Sequence, residues 1–469
     1  MTGTNSTACC QPDILLCKIA DYVDSDVVES RKAYDTARLA LLDALACGFE
    51  ALDQPECTKL LGPVVPGITV PVGARVPGTI FYLDPVTAAF NITCMVRWLD
   101  YSDAWLALES GHPSDNVGAV IATADYQSRL NIAQGKPPLR MKEVLTALIK
   151  AYEIQGLIGL ENSFGQKGYD HVGLVRVASA AVATKLLGGN RDEIVSAVSN
   201  AWADGQPLRV YRQAPNTGYR KSWAGGDATS RGVRLALIAR TGEMGYPTVL
   251  SDKTWGSNTA LLGGAPLMVS LSFGSFVMEN VLFKVAYPGV IHAQTALEAA
   301  IKLHPLVRDR IAEIERIEVW SYALAIRIAD KQGQLYNAAD RDHCLQYMVA
   351  VGLIRGNLIS ADFQDTVASD PRIDALRLKI IVREDKAFTR SFLDTTQRSC
   401  ANGIKVTFFD GTSTPRINIK YPLGHRQRRV EGLPLLERKL EKGLCCHFPR
   451  TRVDKILRIF QDTKSFENM

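Results

Sequence analysis

The chain has 469 residues, 46% of them hydrophobic and 22% charged, which is too long for one ordinary core and points to two or three domains of a globular, ordered protein. Lys and Arg total 54 against 49 Asp and Glu, a formal charge of +5. That excess falls short of a nucleic-acid-binding footprint and suits a small anionic ligand. No apolar run reaches the roughly 18 residues that a membrane span needs.

Met1 to Asp13 carries no Lys or Arg and no apolar stretch, so it reads as neither a secretory signal nor a transit leader. The expected location is the cytoplasm, with a mitochondrial one left open if a leader has been removed. The ten cysteines include only two adjacent pairs, Cys9-Cys10 and Cys445-Cys446. No C-x-x-C, zinc ladder or iron–sulfur spacing occurs, so reduced thiols are expected.

Helical periodicity governs most of the first 270 residues. Ala37, Leu41, Leu42 and Leu45 recur at helical spacing within 32–52, with Ser30 placed to cap. Val144, Leu145, Leu148, Ala151 and Tyr152 repeat the pattern within 141–160. The stretch 175–187 is dense in Ala and Ser, which lets neighbours approach closely, and Gly188-Gly189-Asn190 ends it. Further helices are expected over 191–203 and 230–241, with an irregular basic loop across 209–231.

After about residue 315 the period changes to two. Strands are expected at 317–322, 376–383 and 404–408, and Asp410-Gly411 turns the last into a returning strand through Ile417, Ile419 and Tyr421. Beyond Pro422 the helical period returns. The expected fold is mostly α, with a large helical domain from residues 1–276 and 424–469 and an inserted α/β lid over 277–423.

Chemistry-bearing residues fall in a few places. His112 lies in a Gly/Pro-broken loop beside Asp100, Asp103, Glu109 and Asp115. These residues suit acid/base work, and they equally suit helix capping with one satisfied histidine. His171, in Tyr169-Asp170-His171, precedes the small-residue helix. Arg209, Arg212, Arg220 and Lys221 are interleaved with Gly and Pro, an arrangement that can hold carboxylates or simply be solvated. Nothing there matches a nucleotide phosphate loop. Lys284 sits among apolar residues at the expected domain junction, and the basic run 421–429 at the return junction reads as a solvated surface.

The string Arg97-Trp-Leu-Asp-Tyr-Ser-Asp-Ala-Trp105, followed by Gly111-His-Pro-Ser-Asp-Asn116, resembles the hallmark segment of the MmgE/PrpD family. Pro55-Glu-Cys-Thr-Lys-Leu-Leu-Gly-Pro63, Ala214-Pro-Asn-Thr-Gly218, Arg220-Lys-Ser-Trp-Ala224, Asp340-Arg-Asp-His-Cys-Leu-Gln-Tyr347 and Tyr421-Pro-Leu-Gly-His425 also resemble it, in the family's order. The resemblance implies a homodimer of two-domain subunits, with the site between domains and no metal, cluster or other cofactor. It implies dehydration of a 2-alkylcitrate, 2-methylcitrate to 2-methyl-cis-aconitate, by acid/base elimination of water. It places Asp100, Ala104, His112, His171, Lys284 and Tyr347 at the site; we expect His112, His171, Asp100 and Lys284 in catalysis, and Ala104, Ser110 and Tyr347, with Arg209, Arg212 and Lys221 of the basic stretch, against the substrate. Ala104 stands where the family usually has Thr, and Ser110 where it usually has Trp. Both changes open space, so a longer 2-alkylcitrate is an alternative substrate. Decarboxylation of cis-aconitate and a non-catalytic scaffold are further alternatives. The expected partner is a tricarboxylate, with no nucleic acid and no membrane.

Overall fold

The computed structural model describes residues 11–469 apart from Asp26 and Ala214. The leader expectation, the Cys9-Cys10 pair and the first residue of the 214–218 motif therefore lie outside the described residues. The eight described cysteines are all free thiols. No helix among the described residues is long and apolar enough to cross a membrane.

The protein is mostly α, with one small α/β part. Helix Arg31–Ala51 starts where expected, its N-cap Ser30 accepting from the Ala33 amide. Helix Pro85–Arg97 has Pro at its first turn and the Asp84 carboxylate on the amides of Val86 and Thr87. This fixes the end at which Arg97 leaves the helix. Helix Val172–Leu186 is buried at nearly every position. Its small residues receive Gly232 of helix Arg220–Ala239 so closely that a Cβ there would lie 2.8 Å from Ser179 Cβ. Gly188, at φ 78°, stops the helix, and Asn190 caps the next, Arg191–Ala203, through a box with Glu193.

Two expectations change here. Helix Arg220–Ala239 begins ten residues earlier than the pattern suggested. Its Gly225-Gly226 is not a loop signal, because those glycines let the helix press against Asp115 and the Phe90 carbonyl. The basic loop is thus confined to the residues before Arg220. The expected strand 376–383 is also half wrong. Asp370 and Pro371 start a helix, Pro371–Arg377, and the strand is only Ile380–Glu384. Leu376 is buried on that helix and Leu378 is exposed, so the apparent alternation spans two elements.

The sheet runs Ile380–Glu384, Ile314–Ser321, Asn402–Phe408, Ile417–Ile419 in spatial order. The first pair is parallel and the others antiparallel, with Val319 opposite both Val382 and Ile404. Helices Gln294–Val307 and Leu345–Arg355 cover the sheet in one core spanning Val290 to Phe408. A separate core gathers the N-terminal helices with Val277–Val285 and with Leu436, Leu440, Leu444 and Val453 from the two late helices. A third small cluster joins them, built on Ala104, Leu106, Leu282, Ile291, Tyr322 and Phe392. The basic run 421–429 is a clasp rather than a solvated surface. Arg428 holds Glu298, Arg426 the carbonyls of Thr395 and Thr396, and Arg429 the carbonyl of Val281.

Candidate active site

The polypeptide leaves helix Pro85–Arg97 through a tight bend in which Asp100 takes φ 47°, a conformation costly for a residue with a Cβ. The bend is over-determined. Arg97 Nη1 donates to Asp100 Oδ1 at 2.6 Å, and Lys284 Nζ donates to Oδ1 at 2.6 Å and to the Asp100 carbonyl at 2.8 Å. The Gly289 amide also donates to that carbonyl. All three charged side chains are buried. Burial opposes the Asp100 charge, yet Arg97, Lys284 and two imidazoles outweigh it and hold the carboxyl well below its usual range. Burial pulls the Lys284 ammonium down to about 8, with Asp100 resisting.

Downstream, Ala104 exchanges backbone bonds with Leu282 and Trp105 with Gly111, which pins the loop to the domain junction. His112 follows. Its Nδ1 lies 2.7 Å from the Asp103 carbonyl, and a carbonyl can only accept, so the neutral ring carries its proton on Nδ1. Nε2 is left as a bare acceptor, 3.8 Å from Asp100 Oδ1. Burial, then Arg97 and Lys284, drive His112 well below the ordinary histidine range. His171, at the head of helix Val172–Leu186, has the opposite setting. Its Nδ1 is 3.0 Å from Asp170 Oδ1 and its Nε2 is 3.7 Å from Asp115 Oδ2. Burial lowers it, but Asp170 and Asp115 prevail and raise it. The two rings stand edge to face at 5.8 Å. Gly111 permits this, since a Cβ there would sit 3.0 Å from His171 Cδ2.

Arg97, Asp100, His112 and His171 line a cavity of about 50 Å³, which also takes in Ala104, Ser110, Arg209, Arg212, His292 and His343, while Lys284 stands behind Asp100 outside the lining. Arg212 is paired with Asp170, and Arg209 lies 3.5 Å from Glu109. Lys221 is absent from the lining. It supports Asp342 at 2.8 Å, which in turn holds His343. Tyr347 is not part of the site: its hydroxyl donates to the Asp362 carbonyl inside the sheet-side core.

The sequence reading did not single out Arg97, Asp170, His292 or His343, and it named Asp115 only among the acids beside His112. His343 was within reach. It lies in the same Asp340–Tyr347 string as Tyr347, in the turn just before helix Leu345–Arg355, and histidines are few. Its Nε2 lies 3.5 Å from Asp100 Oδ2, and burial lowers it to about 4. His292, bonded to the Tyr322 hydroxyl, is lowered by burial to about 3. Asp100, Asp342 and His343 bring ligand-type atoms within 4.8 Å of one another. Arg97, Lys284 and Lys221 already donate to those carboxylates, so the residues present do not fit a cation.

The MmgE/PrpD N-terminal domain model matches residues 17–269, and the MmgE/PrpD C-terminal domain model matches 287–464. The chain is 56% identical over 471 residues to a 2-methylcitrate dehydratase of Cupriavidus necator, covering 100% of this chain and 97% of the relative. It is 54% identical to a 2-methylcitrate dehydratase of Escherichia coli strain K12, over 96% of this chain and 94% of that one. A mitochondrial 2-methylcitrate dehydratase of Yarrowia lipolytica is 50% identical, over 94% of this chain and 85% of its own length.

Proposed function

Since the chain belongs to the MmgE/PrpD family, we propose that it is a hydro-lyase converting 2-methylcitrate to 2-methyl-cis-aconitate without a metal or other cofactor. The observation that supports this most directly is a pair of imidazoles facing one cavity in opposite electrostatic settings, His112 pushed well below the ordinary histidine range by burial and His171 raised above it by Asp170 and Asp115. Groups whose environments push them apart in this way divide into base and acid. His112 Nε2 takes the proton α to a carboxylate. The C–H electron pair becomes the double bond as the tertiary C–O bond breaks, and His171 gives its proton to the departing hydroxyl, which leaves as water.

The α-proton is weakly acidic because the carboxylate beside it is already anionic. Arg209 and Arg212 at the cavity wall hold the substrate carboxylates, and Arg97 with Lys284 offsets the charge that develops during proton removal. Asp100 is the fixed counter-charge for that pair, and Lys221 positions His343 through Asp342. Ala104 and Ser110 border the substrate's uncharged parts. Tyr347 has only a structural role in this reading.

We assign the inserted unit, expected over 277–423, as a lid over the helical domain, its start moved beyond Val285 because Val277–Val285 pack in the helical core. We also propose a homodimer, a cytoplasmic location, and no nucleic-acid or membrane partner. The test is turnover of 2-methylcitrate by the purified protein, followed as ultraviolet absorbance of the alkene, with carbon dioxide measured in parallel. Alkene without carbon dioxide is expected. Carbon dioxide release from cis-aconitate would move the assignment to decarboxylation, and binding without turnover to a scaffold.

A further inference from the structure

His343 lines the reaction cavity from the lid side, and its ring is fixed from behind. The short helix Ala338–Arg341 starts at Asn337, whose side chain accepts from the Asp340 amide. Past that helix, the Asp342 carbonyl accepts from the Val290 amide at 2.8 Å. Lys221 Nζ donates to Asp342 Oδ2 at 2.8 Å, and Asp342 Oδ1 lies 2.5 Å from His343 Nδ1. Burial opposes the Asp342 charge, yet Lys221 and His343 outweigh it and hold the carboxyl below its usual range. An ionised carboxylate can only accept, so the neutral His343 ring carries its proton on Nδ1. Burial lowers this imidazole to about 4, which keeps it neutral at ordinary pH. Nε2 is left bare on the cavity side, 3.5 Å from Asp100 Oδ2. That oxygen is an acceptor too. Two acceptors at this separation do not bond each other, and they call for a donor from outside.

An ionised citrate-type substrate has carboxylates that accept and a single hydroxyl that donates. We infer that His343 Nε2 accepts the hydrogen of the substrate's tertiary hydroxyl, and that His343 thereby separates hydroxylated tricarboxylates from their deoxy counterparts. The inference rests on the dehydratase reading above. With its hydrogen on His343, the hydroxyl oxygen keeps a lone pair for the proton of His171. The C–O bond breaks as that proton arrives, and water leaves with its original hydrogen still bonded to Nε2. His343 itself neither gains nor loses a proton. A site built to bond a substrate hydroxyl rejects an analogue that lacks it, because its polar group is then left unmet.

The test pairs 2-methylcitrate with butane-1,2,3-tricarboxylate, the same skeleton without its hydroxyl, on the full chain as wild type, His343→Leu and His343→Gln. Turnover gives kcat/KM for the first compound, and competitive inhibition gives Ki for the second. His343→Leu should lower kcat/KM about 10- to 100-fold, the loss expected from one unmet hydrogen bond. Its Ki should change less than about threefold, which also checks that the variant is folded. His343→Gln offers a carbonyl that accepts but takes up no proton, and it should recover kcat/KM to within about fivefold of wild type. Equal weakening of both compounds in His343→Leu overturns the inference, as does an undiminished kcat/KM. A His343→Gln as impaired as His343→Leu, with Ki preserved, would make the ring a base and also overturn it. All three outcomes leave the dehydratase reading standing, whereas a wild type that does not turn over 2-methylcitrate removes both.

Discussion

On and behind the helical wall of the reaction cavity, Asp100 faces Arg97 and Lys284, Asp115 faces Arg97 and His171, and Asp170 faces Arg212 and His171. On the lid wall, His292 and His343 are held in the neutral form by burial. The helical wall thus provides fixed charge whether or not a ligand is present. The lid adds groups that hydrogen-bond a polyanion without a net attraction to it.

The sharpest way to break this comparison is to unbalance the charged wall. Lys284→Met leaves Asp100 facing Arg97 alone, and removing one partner of a buried pair costs about 3–5 kcal/mol. We expect kcat/KM to fall by about 10³ or more, with a lower denaturant midpoint. Activity within tenfold of wild type would show that the wall does not depend on the pair. His112→Ala removes the base and should cost about 10²–10³ in kcat with an unchanged circular dichroism spectrum.

The pH profile of kcat/KM sharpens the same contrast. His112 is lowered, so it stays a base to well below its usual 6.5. His171 is raised, so it stays an acid above that value, and Lys284 sheds its charge near 8. A bell is therefore expected, its acid limb below 6.5 and its alkaline limb between 6.5 and about 8. A single rising limb through 6.5 would reverse the two assignments. On the lid side, His292→Gln keeps a neutral hydrogen-bonding group and should cost only about tenfold, mostly in kcat. Smallest is Gly111→Ala, which pushes His171 by a few tenths of an ångström and should lower kcat about threefold to tenfold. A null result there would mean that the spacing between the rings is not critical.

The helices were legible because their periodicity and caps agree. Ser30, the Gly188 stop and the apolar spacing of 141–160 all found their elements. The strand error at 376–383 arose where a helix end and a strand start fall on the same alternating parity. In the site, His112, His171, Asp100 and Lys284 were visible because they stand beside distinctive local sequence, and the fold brings them together. Arg97 and Asp170 entered only as members of longer strings, and Asp115 only as one of four acids beside His112, because nothing in the local sequence marks them as buried ion-pair partners. Only the packing of helices Pro85–Arg97 and Val172–Leu186 reveals that they are buried partners of the catalytic groups. Tyr347, from the same string as His343, lies on helix Leu345–Arg355 with its hydroxyl on the Asp362 carbonyl, away from the cavity lining.

Lys439, on the late helix Arg429–Cys445, reaches inward to ion-pair with Asp43. Its ammonium also donates to the carbonyls of Tyr101 and Lys284, at 2.7 and 2.9 Å. One side chain near the end of the chain thus ties together the two segments that present Asp100 and Lys284. During synthesis Asp100 and Lys284 both leave the ribosome well before Lys439, the tie that joins their segments. An emerging chain therefore gains this link between the two segments only once helix Arg429–Cys445 has docked.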